Sequence, residues 1–404
     1  MINNMINICT LGSVADGKST MVKMLTGEIT QRDSRELKRN ITINAGYANL
    51  KIWECIECNK KFSSGETISL YICNYCDNEC ILKKHISFAD CPGHQELITT
   101  MLSSIYLMSG CIIVISVETP LKNKQQLKQH LLATKIANLK NIIICLNKCD
   151  LQEKSIVLDR YKELQELLDI YQIKPLIIIP TSFTNNFGGE QIIDTIDNYF
   201  NNLNNNNNDK TLFKITRTFD INKPGISYLN IKGGIIGGTL ISGQLNINDE
   251  VEIRPGIING THYEPIITKL ISFETNNTTL EQINPGGLVA IRTEIDPYYC
   301  KNNRLCNNIL GKIGELPPVY NNILIEYTLL DINNDINDIW KPKNNDLLFL
   351  QIDNISCEAK ISKIKKNIFY LQLKKPTCID NNAKILICKK NNMINIIAIG
   401  KLIL

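Results

Sequence analysis

Gly12-Ser13-Val14-Ala15-Asp16-Gly17-Lys18-Ser19-Thr20 fits the phosphate-binding pattern G-x-x-x-x-G-K-S/T. Residues 6–11 before it are mostly apolar and of strand length, and residues 20–25 after it can open a helix. The pattern needs that order. Glycines let the backbone turn tightly so that successive N–H groups face phosphate oxygens, and the helix N-terminus adds positive dipole. Lys18 is then expected to reach the outer phosphates, and the Ser19 hydroxyl to hold Mg²⁺.

Working outward, residues 27–40 are polar and charged and lead into Ile41-Thr42-Ile43. Such a loop reads as a switch segment that orders around a γ-phosphate and Mg²⁺, with Thr42 on the metal. Residues 86–90 read as a short strand ending in Asp90-Cys91-Pro92-Gly93-His94. This D-x-x-G pattern sets Asp90 near the metal through water and the Gly93 N–H at the γ-phosphate. His94 stands where a residue orients an attacking water. The catalytic group expected here is therefore His94, Gly93 and Thr42.

The apolar strand 141–146 ends in Asn147-Lys148-Cys149-Asp150. The Asp150 carboxylate can accept from both the ring N–H and the exocyclic amine of guanine, a donor pair that adenine lacks. A buried site built on such bonds rejects the analogue by roughly 10⁴ to 10⁵, so GTP is favoured over ATP. Strand 175–180 leads to Thr181-Ser182-Phe183, where Ser182 is expected to support the base through its backbone N–H. The expected nucleotide contacts are thus Ser13, Ala15, Asp16, Gly17, Lys18, Ser19 and Thr20, then Asp90, then Asn147, Lys148 and Asp150 with Thr181, Ser182 and Phe183. Helical stretches at 96–108, 125–136, 155–170 and 191–202 alternate with strands. This half is therefore expected to be an α/β domain with a mostly parallel sheet and its ligand at the strand carboxyl ends.

Between the two switch candidates lie Cys55-x-x-Cys58 and Cys73-x-x-Cys76, separated by fourteen residues. Two such knuckles can place four thiolates about one tetrahedral zinc. A redox C-x-x-C would need no duplicate. Cys55, Cys58, Cys73 and Cys76 are therefore read as ligands of a structural Zn²⁺ that folds a polar insert with little core of its own. Cys80 is left over as a competing ligand. The other cysteines, such as Cys111 and Cys145 in apolar runs, read as small core residues.

The length of 404 residues exceeds one compact core. A net charge of +4 leaves any nucleic-acid contact to a local patch. No apolar run reaches membrane-spanning length and the start does not read as a signal peptide, so a cytoplasmic protein without membrane contact is expected. Residues 204–208 are all Asn and read as a flexible linker. From Thr211 onward, short alternating strands are punctuated by turns such as Lys223-Pro224-Gly225, Gly233-Gly234, Pro255-Gly256 and Pro285-Gly286-Gly287. They argue for a β-barrel, with Pro317-Pro318 as a boundary before a second one. The expected division is a GTP-binding domain at 1–203 with its knuckle insert at 55–76, a linker at 204–210, and antiparallel β-barrels at 211–316 and 317–404. Lys360, Lys363, Lys365, Lys366, Lys374, Lys375, Lys389 and Lys390 form the densest basic region. They are read as a solvated barrel face, with phosphate contact as the alternative.

A GTPase domain followed by two barrels resembles the translational GTPases related to elongation factor Tu. Within that group Arg39-Asn40-Ile41-Thr42-Ile43, Gly46-Tyr47-Ala48-Asn49, the cysteine knuckle and Asp90-Cys91-Pro92-Gly93-His94 resemble the gamma subunits of eukaryotic translation initiation factor 2. So do Asp220-Ile221-Asn222-Lys223-Pro224-Gly225, Gly233-Gly234-Ile235-Ile236-Gly237-Gly238, Val251-Glu252-Ile253-Arg254-Pro255-Gly256 and Pro285-Gly286-Gly287-Leu288. The resemblance implies a heterotrimer with alpha and beta subunits that binds GTP/GDP with Mg²⁺ and delivers initiator methionyl-tRNA to the small ribosomal subunit. It also implies hydrolysis stimulated by a GTPase-activating factor, and a nucleotide-exchange factor.

The chain departs from that family at Ser13, where His is usual, at Asp16, where His or a similar residue is usual, at Gln95, where an acidic residue is usual, and at Thr181-Ser182-Phe183, which replaces a Ser-Ala pair. An acid in the phosphate loop opposes anion binding if it faces inward, and Asp16 is expected to point away. Two other readings stand beside the initiation factor: an elongation-type or specialised aminoacyl-tRNA carrier, and a GTP-dependent scaffold with little hydrolysis.

Overall fold

The computed structural model describes residues 5–30, 46–65, 70–91, 98–122, 124–200, 210–259, 262–275, 278–330, 340–353, 355–390 and 394–403. Three runs of apolar sequence make the centre of the first unit, Met1–Leu203. β1 (Met5–Leu11) and β6 (Gly110–Ser116) are buried at every position, and β7 (Asn141–Asn147) at every position after its first. Strands covered on both faces lose the polar alternation of a surface strand, as these do.

With β2 (Gly46–Cys55), β3 (Lys61–Ser64), β5 (Glu79–Asp90) and β8 (Ile177–Pro180), the sheet runs β3-β2-β5-β1-β6-β7-β8, and β4 (Tyr71–Ile72) adds to β5. β5, β1, β6, β7 and β8 are mutually parallel, whereas β2, β3 and β4 pair antiparallel. Helices α1 (Lys18–Thr26), α2 (Ile98–Ile105), α3 (Gln125–Ala137), α4 (Lys154–Tyr171) and α5 (Gly189–Tyr199) alternate with the strands. Met21, Val22 and Leu25 of α1 and Ile192 and Ile196 of α5 pack with Ile6, Ile8, Val114 and Phe200 in one core. β1, β5 and β7 end at Leu11, Asp90 and Asn147, so three motif residues or their neighbours meet at the carboxyl edge of the sheet, where open α/β sheets bind ligands.

The structure corrects the picture of the insert. β5 is twelve residues long, where the sequence suggested a strand over 86–90. It pairs with β2 from Gly46 opposite Asp90 to Cys55 opposite Cys80, and the two knuckles grow from the far end of this ribbon. The insert also has a core of its own, in which Trp53, Cys55, Cys73 and Cys80 pack with Phe62 and Tyr71. The Phe62 and Tyr71 rings stack at 5.3 Å.

The second unit, Asn204–Leu404, holds two antiparallel barrels. In the first, β9 (Leu212–Phe219), β10 (Ile235–Ser242), β12 (Glu250–Asn259), β13 (His262–Thr275), β16 (Val289–Thr293) and β17 (Ile309–Lys312) close in the order β12-β17-β9-β10-β16-β13, with β12 returning to β13. β11 (Leu245–Asn246), β14 (Thr278–Leu280) and β15 (Gln282–Ile283) are short accessories. The second barrel closes β18 (Val319–Leu329), β21 (Ile368–Cys378), β20 (Ile355–Lys365), β19 (Leu347–Ile352), β22 (Lys384–Lys390) and β23 (Ile394–Ile403) around Ile325, Leu350, Ile361, Phe369 and Ile387. β20 carries no clear strand signal in the sequence, because lysines dominate it. Ala359 and Ile361 point inward while Lys360, Lys363 and Lys365 are exposed, the period-2 pattern of a barrel wall. Ile309 and Leu316 from one barrel pack with Ile355 and Cys378 of the other.

Candidate nucleotide site and metal centre

Residues 12–17 turn from β1 into α1 through two left-handed glycines, Gly12 at φ 145° and Gly17 at φ 107°. Neither position tolerates a side chain. A Cβ on Gly12 would lie 2.3 Å from the Val114 carbonyl oxygen, and one on Gly17 2.3 Å from Asn147 Nδ2. Ala15 also sits in the left-handed region at φ 64°, which strains a residue with a Cβ. Lys18 is buried and lies across the loop, donating to the Gly12 carbonyl at 3.0 Å and the Ser13 carbonyl at 2.8 Å. Burial pushes its pKa down, and the Asp90 and Asp16 carboxylates pull it back up. Thr20 follows in the first turn of α1 and is exposed.

Asp90 is fully buried at the end of β5. Its Oδ2 accepts from Ser19 Oγ and from Thr30 Oγ1, each at 2.6 Å, and its Oδ1 accepts from Thr10 Oγ1 at 2.9 Å. A carboxylate beside hydroxyl oxygens at a helix start is a hard-oxygen donor set, which suits Mg²⁺. Thr10 and Thr30 were not singled out in the sequence. Thr30 stands within the polar 27–40 stretch, where the switch pattern points to Thr42 instead. Thr42, Gly93 and His94 lie outside the described residues.

At the end of β7, Asn147 Nδ2 donates to the Asp16 carbonyl at 2.8 Å, and Asn147 Oδ1 accepts from the Phe183 N–H at 3.3 Å and Thr181 Oγ1 at 3.5 Å. Lys148 takes a left-handed conformation and pairs with Glu118. Lys148, then Ser116, holds the Glu118 carboxyl below its ordinary range. Asp150 Oδ2 accepts from Asn185 Nδ2 at 3.1 Å, and the same nitrogen donates to Ser182 Oγ at 3.0 Å. Asn185, which no sequence motif marks, thus orients the Asp150 carboxylate. The Ser182 N–H, expected at the base, donates to the Phe187 carbonyl at 3.2 Å because residues 182–187 form a tight turn.

The acidic loop residue turns away from the loop concavity. Asp16 Oδ2 accepts from the Ser13 N–H at 2.7 Å and Oδ1 from the Ser116 N–H at 3.2 Å, with Lys124 Nζ at 3.4 Å. Ser13, Asp16, Ser116, Glu118, Lys124 and Lys148 line a cleft of about 440 Å³ on this flank.

The knuckles are near copies in backbone geometry. The Asn59 N–H returns to the Cys55 carbonyl and the Asp77 N–H to the Cys73 carbonyl, and Asn59 and Asp77 are both left-handed. Sulfurs of Cys55 and Cys76 lie 3.4 Å apart and those of Cys58 and Cys73 3.5 Å, with all four within 4.8 Å. Ligands at about 2.3 Å around a tetrahedral ion would stand about 3.8 Å apart, so this set could hold one metal ion. The backbone N–H of Cys58, aided by the Cys76 thiol, holds Cys55 down to about 6. Cys80 packs behind the cluster, and burial pushes its thiol up.

Comparison with known proteins agrees with this geometry. Residues 3–202 match the elongation factor Tu GTP binding domain, and residues 321–402 match the C-terminal domain of initiation factor eIF2 gamma. The chain is 33% identical over 393 residues to translation initiation factor 2 subunit gamma of Pyrococcus furiosus, covering 95% of this chain and 94% of that one. It is 32% identical to eukaryotic translation initiation factor 2 subunit gamma of Encephalitozoon cuniculi, covering 96% and 90%. With eukaryotic translation initiation factor 2 subunit 3 of Drosophila melanogaster it shares 33% identity, covering 95% and 85%. Among solved structures, a bacterial selenocysteine-specific elongation factor superposes with a TM-score of 0.73 at 20% identity, covering 98% of this chain and 58% of that one. The elongation factor SelB of Methanococcus maripaludis gives 0.70 at 17% identity, covering 100% and 79%. These two show a shared fold.

Proposed function

The chain belongs to the family of translation initiation factor 2 gamma subunits, GTPases of the elongation factor Tu type, and from that premise we propose that it carries initiator methionyl-tRNA to the small ribosomal subunit. In this reading it works in the cytoplasm within a heterotrimer with alpha and beta subunits. It hydrolyses GTP when the start codon is recognised, with an activating factor and an exchange factor acting in trans.

The observation that carries the nucleotide half of this reading is the Ser19 Oγ to Asp90 Oδ2 hydrogen bond, 2.6 Å across 71 positions of sequence. It joins the phosphate-loop motif to the D-x-x-G motif on one small patch of oxygen donors. Lys18 and the loop N–H groups hold the phosphates, and Asn147 braces the loop while Asp150, set by Asn185, reads guanine. Mg²⁺, when bound, offsets charge on the β- and γ-phosphate oxygens. Thr42 and Gly93 meet the γ-phosphate and lose that contact after hydrolysis, so the nucleotide state biases tRNA affinity. His94 orients the attacking water. Zn²⁺ on Cys55, Cys58, Cys73 and Cys76 is structural, since four protein ligands leave no open position for catalysis.

GTP turnover by the reconstituted heterotrimer with initiator tRNA, small ribosomal subunits and activating factor tests this reading. An AUG-dependent burst of phosphate release is expected. Hydrolysis that stays at background in the full system would leave only a GTP-dependent scaffold.

A further inference from the structure

We infer that Lys124, which lies outside the three nucleotide motifs, is the positioning residue that lets this acidic phosphate loop accept a polyphosphate, by neutralising Asp16 from behind. The inference rests on the GTP-binding reading above and adds a residue and a charge pair to it.

A carboxylate in a loop built to bind anions opposes its purpose unless its charge is answered locally. Asp16 is almost fully buried, with its side chain 6% exposed, and Lys124 beside it is 14% exposed. Solvent and salt therefore screen the pair far less than a surface one. Lys124 Nζ lies 3.4 Å from Asp16 Oδ1 and donates to the Ser116 carbonyl at 3.0 Å, while the Ser116 N–H donates to the same Asp16 oxygen. The end of β6 and the start of α3 thus hold the ammonium in place. On the other side, Asp16 Oδ2 takes the Ser13 N–H at 2.7 Å and fixes the loop. The carboxylate also acts on Lys18, the lysine expected at the outer phosphates, by raising its pKa. Losing one member of such a pair leaves the other buried and uncompensated. Without Lys124, the full charge of Asp16 would act on the phosphates, and more strongly on GTP than on GDP because GTP carries the additional negative charge.

The test measures GTP-analogue and GDP affinities of the full chain, with thermal midpoints, for wild type, Lys124→Met, Lys124→Arg, Asp16→Asn and the double variant Asp16→Asn/Lys124→Met. Lys124→Met should weaken the GTP analogue by about tenfold or more and GDP by clearly less. Lys124→Arg should stay within about threefold of wild type. Asp16→Asn should restore GTP-analogue affinity in the Lys124→Met background, because Asn keeps an acceptor for the Ser13 N–H and removes the charge. Equal losses for both nucleotides, unrelieved by Asp16→Asn, would overturn the inference and leave Lys124 a packing residue. A Lys124→Met chain that fails to fold, together with a folded double variant that binds no better than that single variant, would overturn it too. Wild-type protein that binds neither nucleotide would overturn the GTP-binding reading itself and this inference with it. Wild-type binding unaffected by Lys124→Met overturns the inference alone.

Discussion

Asn147 Nδ2 donates to the Asp16 carbonyl at 2.8 Å across 131 positions of sequence, so the end of β7 and the loop at residues 12–17 are one hydrogen-bonded piece. Gly17 is the reason the two can approach. Its missing Cβ leaves room for that amide nitrogen, which would otherwise stand 2.3 Å away, and its backbone is left-handed. Gly17→Ala should therefore push Asn147 off the loop and weaken GDP binding by about a hundredfold, equivalent to about 2.7 kcal/mol. The circular dichroism spectrum should stay native. Titration with a fluorescent GDP checks this, and binding within threefold of wild type would contradict the coupling.

Asp150 should govern which base is accepted. An Asn there presents a donor where guanine also presents donors, so Asp150→Asn should lower GTP affinity by roughly a hundredfold or more and favour xanthosine triphosphate, whose C2 carbonyl accepts. Asn185→Ala, which frees the carboxylate that Asn185 Nδ2 holds at 3.1 Å, should cost less, about threefold to tenfold. Competition between the two nucleotides reads both effects. Unchanged preference in Asp150→Asn would place the base elsewhere.

Acid should destabilise the first unit through His85. This side chain is 1% exposed, and neither ring nitrogen has a hydrogen-bond partner among the described residues. Burial, helped by Lys51, pushes its pKa down to about 4. An unfolded His titrates near 6.5, so between about pH 6.5 and 4 the unfolded chain binds a proton that the folded chain refuses. Stability is full above that window and falls through it by up to about 1.4 kcal/mol per pH unit. Urea midpoints at pH 7, 6 and 5 should show a shallower decline for His85→Leu than for wild type. Identical slopes would mean that His85 does not supply it.

The cysteine cluster should bind one zinc per chain and stabilise the ribbon tip without touching the nucleotide. Trp53 is buried against the cluster and stacks on Tyr71 at 6.1 Å, which makes it an internal reporter. Chelation, or Cys58→Ser, should release the metal and change Trp53 emission while GDP affinity holds within about twofold, since Trp53, Cys55, Cys73 and Cys80 form a separate core. Metal content by mass spectrometry together with the fluorescence decides it. A chain that folds its knuckle with no metal would count against a structural zinc.

How much of this was legible beforehand follows the range of the interactions. The phosphate loop, the D-x-x-G strand end and the Asn147 to Asp150 run are local patterns whose residues stand in sequence order. The first barrel was legible from its Pro-Gly and Gly-Gly turns, and the second from the strand-like runs that follow Pro317-Pro318. Contacts that only tertiary structure creates were not legible. Thr30 reaches Asp90 across 60 positions and Asn185 reaches Asp150 across 35, and nothing in either neighbourhood marks them. The Asp16 to Lys124 pair spans 108 positions and has no motif. β20 was missed because exposed lysines dominate its sequence and mask the inward Ala359 and Ile361. The length of β2 and β5 has no such local signal, because Lys51 and Lys84 interrupt their apolar runs and yet are buried, a rare place for lysine. Lys84 instead ends under α5, where it donates to the Ile196 and Phe200 carbonyls at 3.2 and 2.8 Å.

The most direct test of the account is tRNA discrimination as a function of nucleotide. Initiator methionyl-tRNA, elongator methionyl-tRNA and deacylated initiator tRNA would be titrated against the heterotrimer with a non-hydrolysable GTP analogue and then with GDP. The account predicts tightest binding of aminoacylated initiator in the GTP-analogue state and a loss of at least tenfold, about 1.4 kcal/mol, in the GDP state. Equal affinity for all three tRNAs, or no difference between the two nucleotides, would contradict it.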